Sequence, residues 1–99
     1  MRLDFEFHPA AETELAENSE YYFNVDSRFE GEFLDETYEA IGHICRNPKS
    51  CPLVIDTVRR KVLGKYPYSI FYIDRSGIIL IIAIAHHKRR PFYWTNRIQ

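Results

Sequence analysis

Apolar and polar residues alternate at the start of the chain, with Leu3, Phe5 and Phe7 set against Asp4 and Glu6. That two-residue period predicts a strand with one buried face. His8-Pro9 ends it, and Pro9 suits the first position of a helix, where a missing N–H is no loss. Ala11, Leu15 and Tyr22 then recur on one helical face as far as about Asn24, with Glu12, Glu14, Glu17 and Glu20 decorating the remainder. A second helix is expected from Ser27, because Ser27 and Glu30 have the spacing of a capping box. Phe29, Phe33, Thr37, Ala40, Ile41 and Ile44 form its apolar stripe, and Asn47-Pro48 closes it. The link between the two helices is short enough to require an antiparallel hairpin.

Residues 48–56 contain two prolines and read as a connection. Three strands are predicted after it: TVRRKVL at 57–63, YSIFYID at 68–74 and GIILIIAIA at 77–85. The last is apolar on both faces and belongs in the centre of a sheet, with YSIFYID on one side and the N-terminal strand on the other. The expected fold is α+β in the order β-α-α-β-β-β, a helical hairpin on a small, mainly antiparallel four-stranded sheet, ending in a short tail or helix. Residues 1–99 are expected to form one domain without repeats or linkers.

Ninety-nine residues with 45% hydrophobic content can bury roughly two thirds of the surface of the unfolded chain. No secretory leader is legible, and the longest apolar run, Ile78 to Ala85, is far short of the ~20 residues that span a bilayer. A cytoplasmic chain with no membrane association is the expectation. Cys45 and Cys51, the only thiols, lack CxxC spacing and read as reduced structural residues. His8, His43, His86 and His87 do not have the spacing of metal ligands, so neither metal nor cofactor is expected.

The net charge of −1 hides an asymmetry. Residues 1–50 hold four Lys/Arg against twelve Asp/Glu, whereas residues 51–99 hold nine against two. The second half is therefore suited to a polyanionic or acidic partner, unless the acidic half covers it. Its cations fall into two groups. Arg59 and Lys61 project together from a strand, with Arg60 turned the other way, and Lys88, Arg89 and Arg90 follow the central strand. These five, Arg59, Lys61, Lys88, Arg89 and Arg90, are candidates for one target-binding surface, although an edge strand charged against aggregation would look the same. No nucleophile–base signature, P-loop or HExxH occurs. An enzyme built here would use Arg, Lys, His and Tyr for phosphoryl chemistry on RNA, with His86, His87, Arg89 and Tyr93 as candidates. Trp94, Tyr93 and Pro91 equally suit anchors that pin the tail to the core.

The succession FHPAAETELAENSEYY, FLDETYEAIGHICRNP, VRRKVLGKYPYSIFY and IIAIAHHKRRPFYWTNR resembles the RelE/ParE superfamily of toxins from type II toxin–antitoxin modules, over essentially the whole chain. The resemblance is to the ParE-like, plasmid-stabilisation branch. It rests on Val58-Arg59-Arg60, on Tyr66-Pro67-Tyr68-Ser69-Ile70-Phe71-Tyr72, and on Ala85-His86, Arg89, Pro91, Tyr93-Trp94 and Arg97. It implies a growth-inhibiting toxin neutralised by an antitoxin from an adjacent gene, as a homodimer or a toxin–antitoxin hetero-oligomer. ParE-type members act on DNA gyrase without enzymatic chemistry, and RelE-type members cut mRNA in the ribosome. The RNase branch carries an Arg just after the Tyr that opens the third strand, where this chain has Ser69, while Tyr93 matches the late Tyr of many of those RNases. Were the chain such an endoribonuclease, His86, Arg89 and Tyr93 would be its catalytic residues. A plain nucleic-acid-binding module is the remaining alternative.

Overall fold

The structure, a computed structural model, describes residues 4–98. The first strand, β1 (Asp4–Phe7), begins next to Leu3, which lies outside the described residues. Pro9 opens helix α1 (Pro9–Val25), and the His8 side chain caps it by accepting from the Ala10 N–H at 3.0 Å. Asp26 alone links α1 to α2 (Ser27–Arg46). Its N–H donates to the Tyr22 carbonyl at the end of α1, and its carboxylate accepts from the Arg28 N–H at the start of α2. The Ser27–Glu30 capping box therefore does not form. The helix starts one residue earlier than the box requires, because an aspartate carboxylate is already in place to satisfy the orphan donor. The stripe of α2 is buried as expected at Phe33, Thr37, Ala40, Ile41 and Ile44, while Phe29 remains partly exposed.

The sheet has five strands, not four. Residues 53–55 of the expected connection form β2 (Leu53–Ile55), paired antiparallel with β3 (Val58–Val62). Asp56 makes the tight turn between them at a φ of 48°. A left-handed aspartate serves here where Asn-Gly or Asp-Gly is the usual hairpin signal, which is why the turn is hard to read from sequence. Next come β4 (Tyr68–Arg75) and β5 (Ile78–His86), giving the order β1-β5-β4-β3-β2. β5 is an interior strand between β1 and β4, as the apolar pattern predicts, although the middle of the five is β4; β1 runs parallel to β5.

Alternate residues of the sheet serve two cores. Tyr68, Ile70, Tyr72, Ile79, Ile81 and Ile84 face the helices and pack on Leu15, Phe33, Ile41 and Ile44. Val58, Ile73, Leu80, Ile82, Ala83 and Ala85 face the other way, under Trp94. The alternation along β5 slips once. Phe71 pairs with Ala83 and Tyr72 with Ile81, so Ile82 is the extra residue of a bulge, and Ile82 and Ala83 share a face. Residues 87–94 fold back over this second face and end in a short 3-10 helix, η1 (Thr95–Ile98). Among the described residues no helix is long and apolar enough to cross a membrane, and no group of three or more His, Cys, Asp or Glu could hold a metal ion.

Candidate functional site

The tail is held in place by three anchors. Trp94 is 1% exposed and lies against Phe71, with ring centroids 4.6 Å apart. The Tyr93 hydroxyl donates to Glu14 Oε2 at 2.6 Å, and both terminal nitrogens of Arg97 donate to the same carboxylate at 2.9 Å. Glu14 is buried on α1 and also accepts from the Ile84 N–H at 3.0 Å. Arg97 Nη1 donates in addition to the Ile82 carbonyl at 3.0 Å. β1 stops opposite Ile81, so the free edge of β5 beyond it is completed by side chains in place of a strand.

Between this tail and the sheet lies a cleft of about 210 Å³. Ser69, on β4, is its polar floor and is 1% exposed. Arg60 Nε donates to Ser69 Oγ at 2.9 Å, and His87 Nε2 lies 3.0 Å from the same oxygen. With a bare Nε2, His87 accepts a hydrogen bond from the serine hydroxyl, whereas the Nε2–H tautomer donates to the serine oxygen. Arg89, Arg90 and Phe92 form the rim. Phe92 is half exposed and has a φ of 60°. A bulky residue in the left-handed region costs energy and is held there by its surroundings, here the buried Trp94 that follows it.

The five candidate target-binding residues do not share a surface. Arg59 and Lys61 project on the helix side of β3, and Arg59 Nη1 is bound to the carbonyls of Cys51 at 2.7 Å and Lys49 at 3.2 Å. Lys61 lines a groove with Glu32, Glu36 and Glu39 of α2. Strand parity accounts for the difference: Arg59 and Lys61 share the face of their partners Tyr72 and Ile70, and Arg60 that of Phe71. Arg60, not the pair flanking it, thus joins the tail cations. Lys88 and Arg90 are exposed, and Arg89 stacks over Tyr93 at 3.8 Å and lies 4.0 Å from Glu14.

His86, Arg89 and Tyr93 all line this cleft, and the rings of His86 and Tyr93 are each engaged by other parts of the fold. The His86 ring packs edge-on to Tyr68 on the helix-covered face, and its Nδ1 accepts from the Lys88 N–H. Burial, together with the charges of Lys88 and His87, lowers its pKa. Burial and the Glu14 hydrogen bond push the Tyr93 phenol well above its ordinary range. Losing its proton would put a phenolate against a carboxylate. Arg97 is held cationic by its hydrogen bonds to Glu14.

Sequence reasoning missed Glu14 and Arg60 as members of this site, and the role of Arg97, whereas it singled out Ser69 as the position where the RNase branch carries an Arg. One signal was present for Glu14: it follows Ala11 by three residues, on the buried stripe of α1.

Residues 5–91 match the family model described as ParE toxin of type II toxin-antitoxin system, parDE. A solved structure described as the chromosomal ParDE TA system from P. aeruginosa is similar, with a TM-score of 0.74 and 15% identity, covering 86% of this chain and 96% of that chain. At that identity the likeness concerns the fold. Among curated proteins none matches the sequence.

Proposed function

The chain belongs to the ParE toxin family of type II toxin–antitoxin systems, and on that premise we propose that it arrests growth in the bacterial cytoplasm by binding DNA gyrase until a cognate antitoxin from an adjacent gene neutralises it. The observation that carries this reading against mRNA cleavage is the hydrogen bond from Tyr93 to Glu14. The late Tyr that an RNase would use is fixed in the framework, and its raised pKa makes it a poor proton carrier at neutral pH. Ser69 replaces the Arg that the RNase branch places against the phosphate, which removes a contact commonly worth about a hundredfold in rate. A toxin that works by occupying its target needs neither group. The exposed Lys88, Arg89 and Arg90, next to the strained, half-exposed Phe92, supply a contact surface of the kind that dominates protein interfaces.

Induced expression of the chain alone is expected to halt growth, and co-expression of the adjacent small protein to restore it. The purified protein is expected to inhibit gyrase supercoiling and trap cleaved DNA while transcripts on ribosomes stay intact. Specific mRNA cuts that vanish in Tyr93→Phe or His86→Ala, with gyrase unaffected, would replace this mechanism with ribonuclease activity.

A further inference from the structure

Arg60 is the unabsorbed feature of the cleft. Arg60 is partly buried as a residue, its guanidinium is aligned through Nε by Ser69, and it lies 5.9 Å from the centre of the Phe71 ring. Among the described residues no carboxylate pairs with it. The contrast with Arg97, whose buried charge is met by two carboxylate oxygens, is direct. A partly desolvated cation is costly unless an anion completes it. The outward ends of the Arg60 guanidinium therefore mark a place where an anion is accommodated.

We propose that this cleft is a nucleic-acid subsite, in which Arg60 and His87 hold one phosphodiester of a single strand over Ser69. Several features favour a phosphodiester over the carboxylate of an acidic peptide. Arg90 stands at the rim with no acidic partner among the described residues, so the cationic track continues beyond the first anion, as a repeating phosphate backbone requires. The half-exposed Phe92 ring at the same rim offers a face on which a neighbouring base stacks. The cleft, at about 210 Å³, is smaller than a typical small-molecule pocket and fits one group of a longer ligand. Binding here does not lead to cleavage, because the Ser69 hydroxyl is engaged on both sides and the Tyr93 proton is held by Glu14. The subsite does not depend on gyrase being the target.

The test is fluorescence anisotropy of the full chain with a short fluorescent oligodeoxyuridylate, repeated with the matching oligouridylate. Saturable binding that weakens as salt rises is expected, as for any contact that releases counterions. Arg60→Gln is expected to weaken it about tenfold. Arg60→Lys keeps the charge but loses the Nε bond to Ser69, and should fall between the two. Arg75→Gln removes an equal charge from the opposite end of β4 and should change little. Thermal melts establish that each variant is folded. A preference for one oligonucleotide identifies the sugar, and equal binding points to the phosphate alone, both in support. Equal losses in Arg60→Gln and Arg75→Gln would show diffuse attraction and overturn the subsite. So would an oligoglutamate that displaces the oligonucleotide at equal charge concentration, in favour of an acidic polypeptide. Gyrase inhibition by Arg60→Gln, measured separately, keeps this outcome distinct from that of the target.

Discussion

Glu14 and Arg97 stand 83 residues apart in the chain and meet as a bidentate pair, with both N–O distances at 2.9 Å. The pair does the work of a missing strand. Glu14 accepts from the Ile84 N–H and Arg97 donates to the carbonyl of Ile82, the bulged residue, so the edge of β5 is satisfied where β1 has ended. The acidic half of the chain thus reaches the basic half at a buried point.

Removing one partner of such a pair leaves an uncompensated charge, which costs about 3–5 kcal/mol. Glu14→Ala and Arg97→Ala should each show a loss of that order in urea unfolding, and Glu14→Ala/Arg97→Ala should lose clearly less than the two added together. Strict additivity of the three measurements would show that the contact carries no coupling energy.

Trp94 and Arg90, four residues apart, should separate stability from toxicity. Trp94→Ala removes a fully buried aromatic and should cost about 3–5 kcal/mol. Arg90→Ala alters an exposed side chain and should stay within about 0.5 kcal/mol while reducing growth arrest. The division is wrong if both variants lose the same stability.

His86 should make the fold sensitive to mild acid. Its pKa is lowered in the folded protein by burial, so the unfolded chain takes up the proton first as pH falls. The stability due to the neutral ring is complete above the unfolded value, near 6.5, and is lost as pH drops through the lower folded value. Protonation also removes the acceptor that receives the Lys88 N–H. Melting temperature should therefore fall between neutral pH and about pH 5 by less in His86→Asn than in the parent. Identical pH profiles would remove His86 from this role.

Gly77 closes the turn between β4 and β5 at a φ of 87°, with open space where a side chain would start. Gly77→Ala meets no neighbour, so its cost is backbone strain alone, about 1–2 kcal/mol. Urea midpoints of the two proteins check this, and an unchanged midpoint would mean that the turn relaxes to another conformation.

The elements whose signal is local were legible in the chain. The Phe5–Phe7 alternation, Pro9 at a helix start, the α2 stripe from Phe33 to Ile44 and the doubly apolar run of β5 each depend on a period that neighbouring residues define by themselves. The interior place of β5, flanked by β1 and β4, follows from the same run, and the anchoring of Trp94 and Tyr93 was an open option that packing resolved. β2 escaped because it is three residues long and its turn uses a left-handed Asp56 with no glycine.

The candidate site was legible only in its ingredients. The split of charge between the halves of the chain is a property of the sequence, but which cations meet depends on strand parity and on where the tail lands. Arg59 and Arg60 are adjacent and chemically identical, yet one binds the Cys51 carbonyl under the helices and the other Ser69 in the cleft. Local periodicity can say that they part. It cannot say which face the tail will cover, because that is set by Trp94 on Phe71 and by Arg97 on Glu14, contacts between residues distant in sequence whose energy exists only once the sheet has formed.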